Sequence, residues 1–190
     1  MGAILQSLGR TIIAGIVLLV IIIVAAGGGV TGGAAFVMRW LHVISGVMWI
    51  GLLWYFNFVQ IPSMPKIPDE QKPAVSKVIA PEALFWFRWA ALATVVTGLL
   101  LSYLLGYAHT ALTLQQPTRA IGIGMWIALV MAFNVWFIIW PNQKKALGIV
   151  TVDADAKAKA ARMAMLTSRV NTMLSIPMLY CMVAQQNGGL

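Results

Sequence analysis

Cysteine is almost absent from this sequence: Cys181 is the single one among 190 residues. One thiol cannot close an intrachain disulfide, and alone it cannot build a cysteine-based zinc site or hold an iron–sulfur cluster. No C-x-x-C-H stretch occurs either, which excludes a haem attached covalently in the c-type manner. Charge is the second scarcity, with only 9% of residues charged and five of them acidic. None of these carboxylates lies deep inside a long apolar run, so paired carboxylates for intramembrane acid–base work are missing, which argues against a proton-coupled transporter. The soluble-enzyme patterns G-x-S-x-G, H-E-x-x-H and the P-loop are absent as well.

What fills the sequence instead is apolar: 61% of residues are hydrophobic. A soluble domain carries about a quarter charged residues, so this composition belongs to an integral membrane protein. The net charge of +8 fits basic cytoplasmic loops, and no nucleic-acid partner is expected. The fold class expected is all-α: an integral membrane helical bundle of about five transmembrane helices, forming a single membrane domain over 1–190. The apolar pattern places the spans at about 11–33, 36–59, 83–107, 119–140 and 163–184.

The run from Thr11 to Ala26 reads as a signal-anchor helix, with a cleaved signal peptide as the competing reading. The glycine-rich stretch Ala25 to Ala35 reads as a tight connection. Five prolines between Ile61 and Glu82 predict a loop without a long helix, and Pro141 with Asn142 should end the fourth span. Asp153 is an expected N-cap for a polar helical stretch that leads into the fifth span, where Pro177 should introduce a kink. With five spans, nine Lys and Arg residues fall on the side of the N-terminus and only Arg39 and Arg119 on the other. The positive-inside rule then places the N-terminus inside and the C-terminus outside, in a multi-pass membrane protein.

The second span carries the first candidate site. Arg39 and His42 are three residues apart and share a helix face, which Ser45, Gly46 and Trp49 continue. A histidine among small residues, with a cation one turn away, suits a haem: iron takes an imidazole and the propionates take an arginine. The competing reading of His42 is an interhelical hydrogen bond. His109 reads as a loop histidine or as a second iron ligand, and Arg119 joins Arg39 as a candidate for the propionates. Trp40 and Trp126 could also flank a ring system, although tryptophan is common at membrane interfaces. A second candidate groups Arg88, Asn134, Arg169 and Asn171 as a polar, cationic pocket for a planar anionic substrate, with Tyr55 and Asn57 near the same depth. The alternative for both arginines is snorkelling to the interface, with Glu82 available as a counter-ion.

Three stretches carry a family resemblance: RWLHVISGVMWIGLLWYFNFVQIPSMPK (Arg39 to Lys66), FNVWFIIWPNQKK (Phe133 to Lys145) and SRVNTMLSIPMLY (Ser168 to Tyr180). Together they resemble the membrane domain of the bacterial membrane-bound urate oxidases, over roughly Phe36 to Met182. The resemblance implies a domain that is followed, in full-length family members, by a c-type cytochrome. No haem-attachment motif lies within these 190 residues, so the expectation is a stand-alone relative with a separate electron acceptor. The expected function is a b-type haem-binding protein with a redox or electron-transfer role. The alternatives are a urate-oxidase-like membrane domain that binds a planar anion, which would make the chain an oxidoreductase, and a structural or assembly subunit. Expected partners are the lipid bilayer, further copies of the chain in a homo-oligomer, and a periplasmic c-type cytochrome.

Overall fold

Three prolines that sequence patterning places in a loop or at a helix end lie inside helical rods instead. Proline lacks an N–H and its ring crowds the carbonyl four residues back, so an α-helix cannot pass through it unchanged. Here each is preceded by a widened, π-helical stretch: Tyr55–Gln60 before Pro62, Val75–Ile79 before Pro81, and Asn134–Ile139 before Pro141. The wider turn relieves the crowding and lets the rod continue.

This computed structural model describes residues 2–27 and 33–188, and all the regular structure among them is helical. The helices used below are α1 (Leu8–Ala25), α2 (Gly33–Trp54), α3 (Ala80–Leu104), α4 (Ala108–Leu112), α5 (Arg119–Phe133), α6 (Trp140–Ala146) and α7 (Ala154–Asn187). Helical turns extend α2 to Lys66, begin α3 at Lys72, and join α5 to α6. Among the described residues four rods are therefore long and apolar enough to cross a membrane: Leu8–Ala25, Gly33–Lys66, Lys72–Leu104 and Arg119–Ala146. The expected loop from Ile61 to Glu82 contracts to the few residues between Lys66 and Lys72, and the fourth rod ends at Ala146 rather than Pro141. α7 has 34 residues and runs unbroken through Pro177, but it is less apolar than the other four. Its N-cap is the expected one, with the Asp153 carboxylate accepting from the Ala156 N–H at 2.7 Å. The expected tight connection falls largely on residues 28–32, outside the described residues.

The chain divides into two compact units, Met1–Val37 and Met38–Leu190, with the division inside α2. The first holds α1, whose start is fastened by the Thr11 hydroxyl donating to the Ser7 carbonyl at 3.0 Å. The second holds the core, where Trp49 and Leu53 of α2 meet Phe87 and Ala91 of α3, Met131 of α5 and Met178 of α7. Helices approach closely only where a side chain is missing. A Cβ on Gly122 of α5 would stand 2.0 Å from the Ala111 carbonyl oxygen of α4, and one on Gly124 would stand 3.0 Å from Cys181 Cβ of α7.

Candidate functional site

His42 is half-buried in α2, and its ring is fastened to α3. Nδ1 lies 2.8 Å from the carbonyl oxygen of Thr94. A carbonyl can only accept, so Nδ1 carries the proton and donates. The lone pair therefore sits on Nε2, and no described residue donates to it. The Thr97 hydroxyl lies 3.4 Å from Nδ1 but donates to the Ala93 carbonyl at 2.6 Å, so its contact with the ring is secondary. Gly98, one turn beyond Thr94, leaves the ring its place. A Cβ there would stand 2.7 Å from His42 Cε1 and 3.0 Å from Nδ1.

Two cavities meet at this imidazole, and His42, Gly98, Met125 and Met182 line both. The inner one, about 50 Å³, continues to Trp49, Thr94 and Met178. It has room for a few water-sized molecules. At Trp49 the indole Nε1 is buried without a hydrogen-bond partner. The outer cavity, about 320 Å³, reaches Arg39, Tyr107, Gln186 and Asn187, and its size is that of a small-molecule pocket. Burial pushes the Tyr107 hydroxyl pKa up, and the Arg39 charge pulls it partly back.

Of the residues expected around a haem, the structure brings together Arg39, His42 and Trp49 along this cleft. Ser45 and Gly46 line neither cavity, and a Cβ on Gly46 would make only an ordinary 3.9 Å contact with Thr94. The groove is made by Gly98 on the facing helix. His109 is exposed on α4 and lines neither cavity. Arg119 is exposed and borders a separate surface cavity with Gln116 and Ile123, away from the outer cavity that Arg39 lines. Trp126 uses its indole N–H on the Leu112 carbonyl at 3.0 Å, which ties α5 to α4. Trp40 is exposed.

The four residues expected to form an anion pocket do not converge. Asn134 Nδ2 donates to Asn171 Oδ1 at 2.8 Å, and Asn171 Nδ2 donates to the Met131 carbonyl at 2.9 Å. These buried amides are spent on each other and on backbone, as an interhelical clamp. Arg88 is buried with its Cζ 3.4 Å from the centre of the Trp140 ring, a cation–π contact, and its Nη1 has no hydrogen-bond partner. Arg169 is exposed. Two residues before Asn171, it falls on the other side of α7, because residues two apart on a helix do not share a face. Asn57 joins the interhelical bonding by donating to Ser168 Oγ at 2.8 Å.

Sequence reasoning missed Thr94, Gly98, Met125, Met182 and Tyr107. A signal was present in one of the helices: Thr94, Gly98 and Ser102 recur every four residues on α3. Small or polar residues at that spacing mark the contact face of a membrane helix. Among the described residues no group of three or more His, Cys, Asp or Glu gathers that could hold a metal ion. The donor set at the cleft is therefore one imidazole and the thioethers of Met125, Met178 and Met182.

No curated protein and no solved structure matches the chain. The stretches Phe133 to Lys145 and Ser168 to Tyr180 lie within a family match, whereas Arg39 to Lys66, which holds His42, lies before it. Residues 116–188, from just before α5 to the end of α7, match the family model described as urate oxidase N-terminal.

Proposed function

We propose that this chain is a membrane-embedded, b-type haem-binding redox protein in which His42 Nε2 is an iron ligand. The observation that carries the reading is the bond from Nδ1 to the Thr94 carbonyl. Ligating histidines have their second nitrogen fixed by such a partner, which sets both tautomer and ring orientation. The donor set suits haem iron, since His/Met ligation is one of its established forms. Met125 and Met182, which line both cavities with His42, replace His109 as candidates for the second ligand. Arg39 at the outer cavity supplies positive charge for carboxylates. A bound haem supplies one-electron chemistry; the chain's own residues hold the ring in place, keep the imidazole in one tautomer and surround it with apolar walls.

The four apolar rods support a membrane location. We place the N-terminus inside and count Met163 to Ala184 of α7 as a fifth crossing, on the strength of the loop charges, in a bacterial inner membrane. His42 then lies in the outer half, where a periplasmic c-type cytochrome could exchange electrons with it. A reporter fused after Leu190 should be active only in the periplasm; activity only in the cytoplasm would overturn this orientation.

The test of the haem reading is an absorption spectrum of protein purified after haem-sufficient expression. A Soret band is expected, lost or shifted in His42→Ala and unchanged in His109→Ala. No Soret band, or the same band in His42→Ala, would remove the assignment.

A further inference from the structure

At the other end of the same rods lies a third cavity, of about 160 Å³, lined by residues of α3, α6, α7 and the π-helical end of the second rod. Gln60 stands eighteen residues after His42, roughly 25 Å along the rod at the rise of an α-helix. The walls are apolar, and the Phe56 and Phe87 rings meet edge to face at 5.7 Å. No charged residue lines it among the described residues. Its polar groups are the side-chain amides of Gln60 and Gln143 and the hydroxyl of Ser168. Gln60 Oε1 and Gln143 Oε1 are both buried without a hydrogen-bond partner. A buried amide left unpaired costs about 1–3 kcal/mol, so two at one cavity point to a ligand that pairs with them. Gln60 closes the π-helical stretch Tyr55–Gln60, and π-helical turns recur at functional sites.

We propose that this cavity binds the head group of a membrane quinone and its quinol. The occupant must be flat enough to lie against phenylalanine rings, uncharged, and reachable from an apolar phase. It must also offer hydrogen-bonding groups to two separate helices. A quinone has carbonyl acceptors at opposite ends of a planar ring, and its quinol has donors at the same places. A primary amide serves both forms, because half a turn exchanges its oxygen for its NH₂, and the Ser168 hydroxyl likewise donates or accepts. A charged anion is disfavoured by the absence of a cation in the lining.

The site is independent of the haem reading, and the test keeps the two apart. The full chain in lipid nanodiscs is titrated calorimetrically with a decyl-substituted benzoquinone and with its quinol. Saturable binding is expected for both, weakened about tenfold by Gln60→Leu and by Gln143→Leu, which is roughly one hydrogen bond in a dry site. Ala164→Leu, which fills the cavity, should abolish it. The absorption spectrum of the same Gln variants should equal that of the unmodified protein, so a failure at His42 would leave the quinone result standing. Non-saturable uptake that is equal in the unmodified protein and Ala164→Leu would overturn the proposal. So would unchanged affinity in both Gln variants.

Discussion

Gly98→Ala tests the geometry around His42 most directly. The new Cβ would stand 2.7 Å from His42 Cε1 and 3.0 Å from Nδ1. Non-bonded carbons settle at about 3.5–4.0 Å, so the ring must retreat by about 1 Å. The far end of a free side chain could do this cheaply, but this ring is held by its 2.8 Å bond to the Thr94 carbonyl. A retreat of that size takes the bond beyond the range of a real hydrogen bond. Overpacking costs about 1–3 kcal/mol, and the bond itself is worth about 1 kcal/mol. Against this, alanine in place of glycine gains about 1 kcal/mol of helix propensity. The net expectation is a loss of about 1–3 kcal/mol, read by unfolding in detergent. In a His42→Ala background the clash disappears, and the same substitution should stabilise by about 1 kcal/mol. Imidazole nitrogen NMR should show Nδ1–H as the protonated position in the unmodified protein and a disturbed signal in Gly98→Ala. A Gly98→Ala protein that is more stable, with the His42 signals unmoved, would refute the reasoning.

Asn171→Leu should destabilise by about 1–2 kcal/mol, because it strands the buried Asn134 amide; Asn134→Leu added to it should recover part of the loss in the same unfolding assay. Tyr107 gives the pH dependence: its folded pKa lies above the ordinary value of about 10, so its contribution is fully present below that value and is lost as pH rises through the folded pKa. Tyr107→Phe should flatten this alkaline limb in a stability–pH series, and an unchanged limb would remove Tyr107 as its source.

The apolar rods were legible in the sequence because twenty-residue apolar runs have few other uses. Their ends were not. Proline is read locally as a terminator, since its missing N–H and its ring are properties of the residue itself. Pro62, Pro81 and Pro141 nevertheless lie within rods, each behind a π-helical turn. In an apolar setting a broken helix exposes backbone groups that nothing else can satisfy, so widening one turn costs less than ending the rod. The sequence shows the proline and not this balance. The pairing of Arg39 with His42 was legible for the opposite reason, being fixed by helix periodicity within one element.

Polar residues in the apolar runs were easy to find and hard to assign, and the physical reason is shared by both candidate sites. A buried polar group first satisfies itself with whatever the fold places beside it, and only the remainder is available to a ligand. Asn134 and Asn171 looked like ligand-binding amides, yet the fold sets them against each other and against the Met131 carbonyl, leaving little to offer. Gln60 and Gln143 drew no attention in the sequence, yet their amide oxygens are left over, as is the Trp49 indole N–H. His42 divides in the same way: Nδ1 is taken by Thr94, 52 residues away, and Nε2 is not. Which groups are left over depends on contacts between helices that are distant in sequence, so residue type and spacing cannot disclose it. Of the six buried side-chain atoms left without a partner among the described residues, Trp49 Nε1, Gln60 Oε1 and Gln143 Oε1 fall at the two places proposed here as binding sites, whereas Asn57 Oδ1, Arg88 Nη1 and Trp136 Nε1 line neither.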